Sequence, residues 1–456
     1  MRVAFPRKCW VGLLALAAGA ALRLWFIHAY PEVQGDPLVY GSIAKNWMLH
    51  GVYGTTTSGS LRPTLIRLPG YPLFLAACFK LFGMEHYHAV MFLQTAIDLA
   101  SCILIAAFTR RIWSAKAAWC ALWLAVLCPF MANYAAVPLT ETLEIFWISV
   151  ALYALARFLE TDAARAPRWR WALLQALAWS YAALLRPDGA LLAVALCPAM
   201  VWYGRTRWGT KRVMRYAAIA ALLSVLPFVP WTIRNWRTFH VFQPLAPRYA
   251  TDPGEFTDPG FNRWTKTVCV DLTCTWEVYW NIDSDVIDIA KLPSRAFDSS
   301  AQFERTRQLL DDYNNTISLT PGMDERFAQL AAARVSARPV RYYLVLPLAR
   351  LADMWLRPRT ELLWIELRWW EYQPHEGETI FAWAYAGLNL LYLIAALLGL
   401  TRWPPLAGAM LAFILLRCAL LATIEAPEPR YTLECFPMVI ALAAIVLAPR
   451  LQAATS

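Results

Sequence analysis

The feature that most constrains this chain is a repeated length. Largely apolar runs of about 20 residues recur from Cys9 to near the C-terminus, and a helix of about 20 residues is what crosses roughly 30 Å of hydrocarbon. Backbone N–H and C=O groups find no water there, so such runs fold as helices that satisfy their own hydrogen bonds. Spans are expected near 9–30, 86–110, 115–134, 140–160, 170–186, 188–204, 216–235, 378–400, 404–424 and 430–449. The reading is an all-α multi-pass membrane protein of about ten spans. Only 16% of the 456 residues are charged and 59% are hydrophobic, where a soluble domain carries about a quarter charged.

Charge sets the orientation. Arg2, Arg7 and Lys8 precede the first run, and basic residues stay cytoplasmic. No small-x-small cleavage pattern precedes a soluble domain, so the first run reads as a retained anchor. The clusters Arg110/Arg111/Lys116, Arg165/Arg168/Arg170 and RTRWGTKRVMR at 205–215 then fall on the same side, as do Arg402 and Arg450. Both termini are expected in the cytoplasm, of a bacterial inner or plasma membrane by the Arg/Ala/Trp-rich usage. The net charge of +10 goes to this anchoring and not to nucleic acid.

The chain divides into three blocks: a membrane module over 1–236 with a first external loop at 31–85, an external loop domain over 237–377, and C-terminal helices over 378–456. Residues 237–337 are rich in Pro, Asp, Asn and Thr and contain no span. Within them 324–339 has helical periodicity. The segment 340–356, interrupted by Arg341, Arg350 and Asp353, reads as an interfacial helix. Cys269 and Cys274 share this external compartment, which favours a disulfide. The remaining cysteines read as packing residues.

The first external loop holds the candidate chemistry. From Tyr30 to Pro72 its only acids are Glu32 and Asp36. Asp36 and Pro37 precede an amphipathic pattern of Leu38, Ile43, Trp47 and Leu49. A carboxylate there either caps a helix or serves a substrate held at the membrane face. His86 and His88 read as an interfacial pair. There is no P-loop, no GxGxxG and no zinc spacing of Cys and His.

Six strings in order carry a resemblance: GDPLVYGSIAKNWMLHGVYG, RLPGYPLF, PLTETLEIFW, LLRPDG, PWTIRNWRTFHVFQP and PEPRYTLECFP. In these the chain resembles the GT-C integral-membrane glycosyltransferases, most nearly the bacterial group of protein O-mannosyltransferases and lipid A aminoarabinose transferases. The resemblance implies a sugar donor on a polyprenyl phosphate such as undecaprenyl phosphate. It implies inverting displacement and an acceptor reached from the outer face: a protein, lipid A or a cell-envelope glycan.

The resemblance also distributes roles. Asp36 matches the first-loop acid and would be the general base. Glu141 matches a second acid, more often Asp, with Glu144 one turn on as its companion. Arg67, Arg186, Arg234 and Arg430 would engage the lipid phosphate, because a guanidinium fork suits phosphate oxygens. Tyr71 and Trp231 offer faces for a sugar, although aromatic belts place such residues at interfaces anyway. No cofactor is implied. A divalent cation between Asp36 and Glu141 is compatible with two acids, but nothing in the spacing indicates one. The competing reading is a transporter or flippase of a polyprenyl-linked glycan, which would carry polar residues through its spans. Here the ionisable residues, Arg23 and Asp98 apart, concentrate at the outer face and in the loops, which favours the enzyme.

Overall fold

A computed structural model describes residues 7–57, 59–160, 168–370 and 376–448. Arg2, Arg165 and Arg450 of the basic clusters lie outside the described residues. The chain separates into two compact units. The first comprises residues to Pro253 with Leu390–Leu416 and Leu433 onward, and the second Gly254–Asn389 with Arg417–Thr432.

The apolar runs fold as helices. In the first unit these are α1 (Arg7–Ala29), α2 (Asp36–His50), α3 (Gly70–Phe82), α4 (Tyr87–Ile112), α5 (Ala115–Val126), α6 (Pro129–Tyr134), α7 (Glu141–Glu160), α8 (Trp169–Leu185), α9 (Ala190–Trp208), α10 (Thr210–Val225) and α11 (Phe228–Phe239). A two-stranded antiparallel hairpin, β1 (Gly54–Thr57) and β2 (Ser60–Pro63), follows α2. Among the described residues, seven segments are long and apolar enough to cross a membrane. The other three of the ten expected positions hold shorter helices. The run at 115–134 is divided: α5 has 12 residues, and Pro129 opens α6, since proline without an N–H suits a first turn and not an interior. The run at 170–186 is α8, of 17 residues.

In the second unit α12 (Pro259–Val268), the single turn α13 (Leu272–Cys274), α14 (Ser300–Asn314) and α15 (Pro321–Ala337) surround a core of Phe261, Trp264, Leu309, Tyr313 and Phe327. The expected loop domain thus holds four helices around one core. Asp324 accepts the Gly260 and Phe261 N–H groups at 3.0 and 2.8 Å, covering donors that α12 leaves open. Cys269 and Cys274 are joined by a disulfide. α16 (Leu346–Leu356) follows on the expected interfacial segment.

α17 (Glu376–Thr401), α18 (Ala407–Leu421) and α19 (Phe436–Leu447) complete the chain. α18, at 15 residues, is the third short span. Phe436 through Ile445 of α19 are all buried, packed on α4, α5 and α7. α7 and α19 thus form the centre of the first unit, and the start of each carries glutamates.

Inside this bundle Arg23 and Asp98 make a fully buried pair, with Arg23 Nε donating to Asp98 Oδ2 at 2.6 Å. Arg23 Nη1 also donates to the carbonyls of Val126 and Gly19 at 2.6 and 2.9 Å. One guanidinium therefore joins α1, α4 and the end of α5.

Candidate active site

α2 begins because Pro37 is preset for a first helical turn and Gly35, at φ 62°, turns the chain into it, a conformation open to glycine. The N-cap position belongs to Gly35, so Asp36 is not the cap. Its carboxylate instead accepts Arg67 Nη2 at 2.6 Å. The pair is part-exposed, at 33% for Asp36 and 23% for Arg67. Tyr53 holds the other end of Arg67 by donating its hydroxyl to the Arg67 carbonyl at 2.9 Å.

A second cluster forms around Arg186, where α8 ends in an extended residue ahead of Pro187. Arg186 Nη1 stands 3.7 Å from Glu141, its Nε 3.7 Å from Glu144, and the same Nε 3.3 Å from Asp188. Both glutamates belong to the first turn of α7, where the positive helix end favours them, and both are buried. The Glu144 carboxyl also meets that of Glu434, next to the start of α19.

Tyr40 links the two clusters. The Arg67 guanidinium lies 5.6 Å from its ring centre, and the phenol feels the charges of Arg67, Asp36, Arg186 and Glu141. Burial, opposed mainly by Arg67, pushes the phenol up to about 12, so it remains a neutral hydrogen-bonding group. The sequence signal for Tyr40 was its position one helical turn after Asp36, on the same face. Glu434 had no comparable signal, being far from Glu144 in sequence.

Four expected residues have partners within the protein. Tyr71 is fully buried, gives its hydroxyl to Gln94 Oε1 at 2.7 Å and meets the Tyr40 ring edge-on at 5.1 Å. It packs against Tyr40 from within the bundle. Its neighbour Gly70 packs so closely on α8 that a β-carbon would lie 2.6 Å from the Leu184 backbone. Trp231 is buried too, edge-on to Tyr53 at 5.0 Å. Arg234 gives its fork to backbone: Nη2 to the Tyr53 carbonyl at 2.6 Å and Nη1 to Thr64 at 2.7 Å. It fixes the ends of the hairpin. Arg430 belongs to the second unit, where its Nε pairs with Glu428 at 2.9 Å. Among the described residues no three His, Cys, Asp or Glu side chains form a metal-binding group.

Residues 63–231 match the family profile of dolichyl-phosphate-mannose-protein mannosyltransferases, a stretch that includes Arg67, Glu141 and Arg186 but not Asp36. No match is found among curated proteins. Among solved structures, the Archaeoglobus fulgidus oligosaccharyltransferase tethered with an acceptor peptide aligns over 96% of this chain, at 13% identity and a TM-score of 0.52. The chain has a GT-C-like membrane fold. It covers 49% of that oligosaccharyltransferase. It also aligns with ArnT from Cupriavidus metallidurans bound to undecaprenyl phosphate, at 16% identity and a TM-score of 0.45, over 97% of this chain and 78% of that one.

Proposed function

We propose that this GT-C protein transfers a sugar from a polyprenyl phosphate to an acceptor hydroxyl. The observation that carries the reading is the pairing of Asp36 with Arg67 beside the Arg186–Glu141 cluster, both acting on Tyr40. The dolichyl-phosphate-mannose family profile over 63–231 supports a lipid-phosphate donor for that arrangement. Displacement at an anomeric carbon needs positive charge where the phosphate departs and a base where the hydroxyl attacks. Arg67 and Arg186 supply the charge, each with part of its side chain open to solvent. An ion-paired Asp36 is already a carboxylate, the form that accepts a proton. When Arg67 turns to the phosphate, Asp36 is released to the incoming hydroxyl. The new C–O bond forms opposite the departing phosphate, so the anomeric configuration inverts.

The flippase reading loses its main support, since Arg23 and Asp98 are buried against each other and against backbone carbonyls rather than lining a path. The test is consumption of radiolabelled polyprenyl-phosphate sugars by the purified protein in detergent. Release of polyprenyl phosphate with label on a protein, lipid A or glycan acceptor is expected, with an inverted anomeric proton signal in the product. Label that crosses a bilayer unchanged would favour the flippase. Reporter fusions at residues 209 and 310 should report cytoplasm and exterior, respectively, if the site opens outward.

A further inference from the structure

The second unit contains a hollow of about 440 Å³ lined by Trp369, Trp370, Trp383, Asp271, Asp353 and Arg357. Its aromatic walls stand at right angles. Trp369 meets Trp383 at 5.0 Å and 85°, and Trp370 at 5.8 Å and 86°. Trp370 and Trp383 are 44% and 61% exposed, so ring surface is available to an occupant. The polar side is built and held. Arg357 lies 3.6 Å from Asp353 and donates to Thr273 Oγ1 at 2.9 Å and to the Leu367 carbonyl at 2.7 Å. Asp353 accepts the Leu272 N–H at 3.2 Å, and Asp271 accepts Cys274 N–H at 2.9 Å. Burial, opposed by Arg357, holds the Asp353 carboxyl up at about 6, which still leaves it ionised at neutral pH.

We infer that this hollow binds a neutral pyranose. Ligand sites are concave and mostly apolar with a few placed polar groups, on the scale of about 300–1,000 Å³, and this one falls in that range. A pyranose has apolar C–H faces that lie on tryptophan rings and a rim of hydroxyls that donate to carboxylates. Asp271 is paired with Arg295 at 3.2 Å and Asp353 with Arg357 at 3.6 Å, so both carboxylates are balanced and the hollow offers a lipid phosphate no unpaired positive charge. Tryptophans that merely anchor a helix at the interface need no carboxylate–guanidinium pair between them.

This inference goes beyond the transfer reading and stands without it, so its test excludes turnover. Full-length Asp36→Asn protein is held in amphipol, which carries no sugar headgroup, and no donor is added. Methyl pyranosides of glucose, galactose, mannose and N-acetylglucosamine are titrated by saturation-transfer NMR. At least one should bind in the millimolar range, and Trp370→Ala and Trp383→Ala should each weaken it tenfold or more. Trp370→Phe, which keeps a flat ring, should stay within a few-fold of the parent, separating lost stacking from lost folding. A polyprenyl-linked sugar competing like the free glycoside would make the natural source lipid-borne; a soluble glycan competing alone would make it the acceptor. Either supports the pocket. No glycoside binding, binding unchanged in both alanine variants, or displacement by phosphatidylglycerol but not by glycosides would overturn it.

Discussion

Two arginine–carboxylate pairs in the first unit have nearly the same length and opposite uses. Arg23–Asp98 and Arg67–Asp36 both close to 2.6 Å. The first is wholly buried, with Arg23 also donating to the Val126 and Gly19 carbonyls. The second keeps 23–33% of its side-chain surface open, and Arg186 nearby stands 3.3–3.7 Å from three carboxylates. A guanidinium spent on backbone holds helices together. One held loosely by carboxylates can turn to a phosphate.

The largest expected effect lies in the buried pair. Asp98→Ala leaves Arg23 charged without its acid, and breaking a buried pair from one side costs about 3–5 kcal/mol. Thermal unfolding in detergent should show a large loss for Asp98→Ala and little for Asp36→Ala. Equal loss in both would erase the distinction. Next come Arg67→Ala and Arg186→Ala, each expected to weaken polyprenyl-phosphate binding by about 1.5–3 kcal/mol, the usual worth of hydrogen bonds to charged groups. The double variant should cost less than the sum if both arginines hold one phosphate. Unchanged affinity in both would return these arginines to lipid headgroups. The smallest effect is Arg234→Lys. Lysine cannot span two carbonyls as the guanidinium fork does, so about 1 kcal/mol and faster hydrogen exchange around Tyr53 and Thr64 are expected. A drop in donor affinity larger than that of Arg186→Ala would reassign Arg234 to the phosphate.

The same contrast explains what was legible in the sequence. Spans announce themselves because length and apolarity are local properties. Asp36, Arg67, Glu141 and Arg186 stand in strings that occur in family order, and the structure pairs Asp36 with Arg67 and Glu141 with Arg186. Side-chain direction is not local. Arg234 and Tyr71 have the right residue types, but their partners, the Tyr53 and Thr64 carbonyls and Gln94, come from other segments. The four-residue strands of the hairpin at 54–63 carry no hydrophobic alternation, and the hairpin is held from another segment by Asn46 of α2, which donates to the Gly54 carbonyl at 3.0 Å. The core of the second unit joins Phe261 to Phe327 at 5.2 Å, across a stretch whose polar composition reads as loop.

The central claim is that the open pair performs chemistry, and Asp36→Asn tests it most directly. The amide keeps the size of the acid but cannot take a proton at neutral pH. With a purified polyprenyl-phosphate sugar and a hydroxyl acceptor, turnover per folded molecule should fall by about 10² or more, the range for losing a general base. Thermal stability should stay near that of the parent, and donor affinity should change far less than turnover. Parent-like turnover in the folded Asp36→Asn protein would contradict the account.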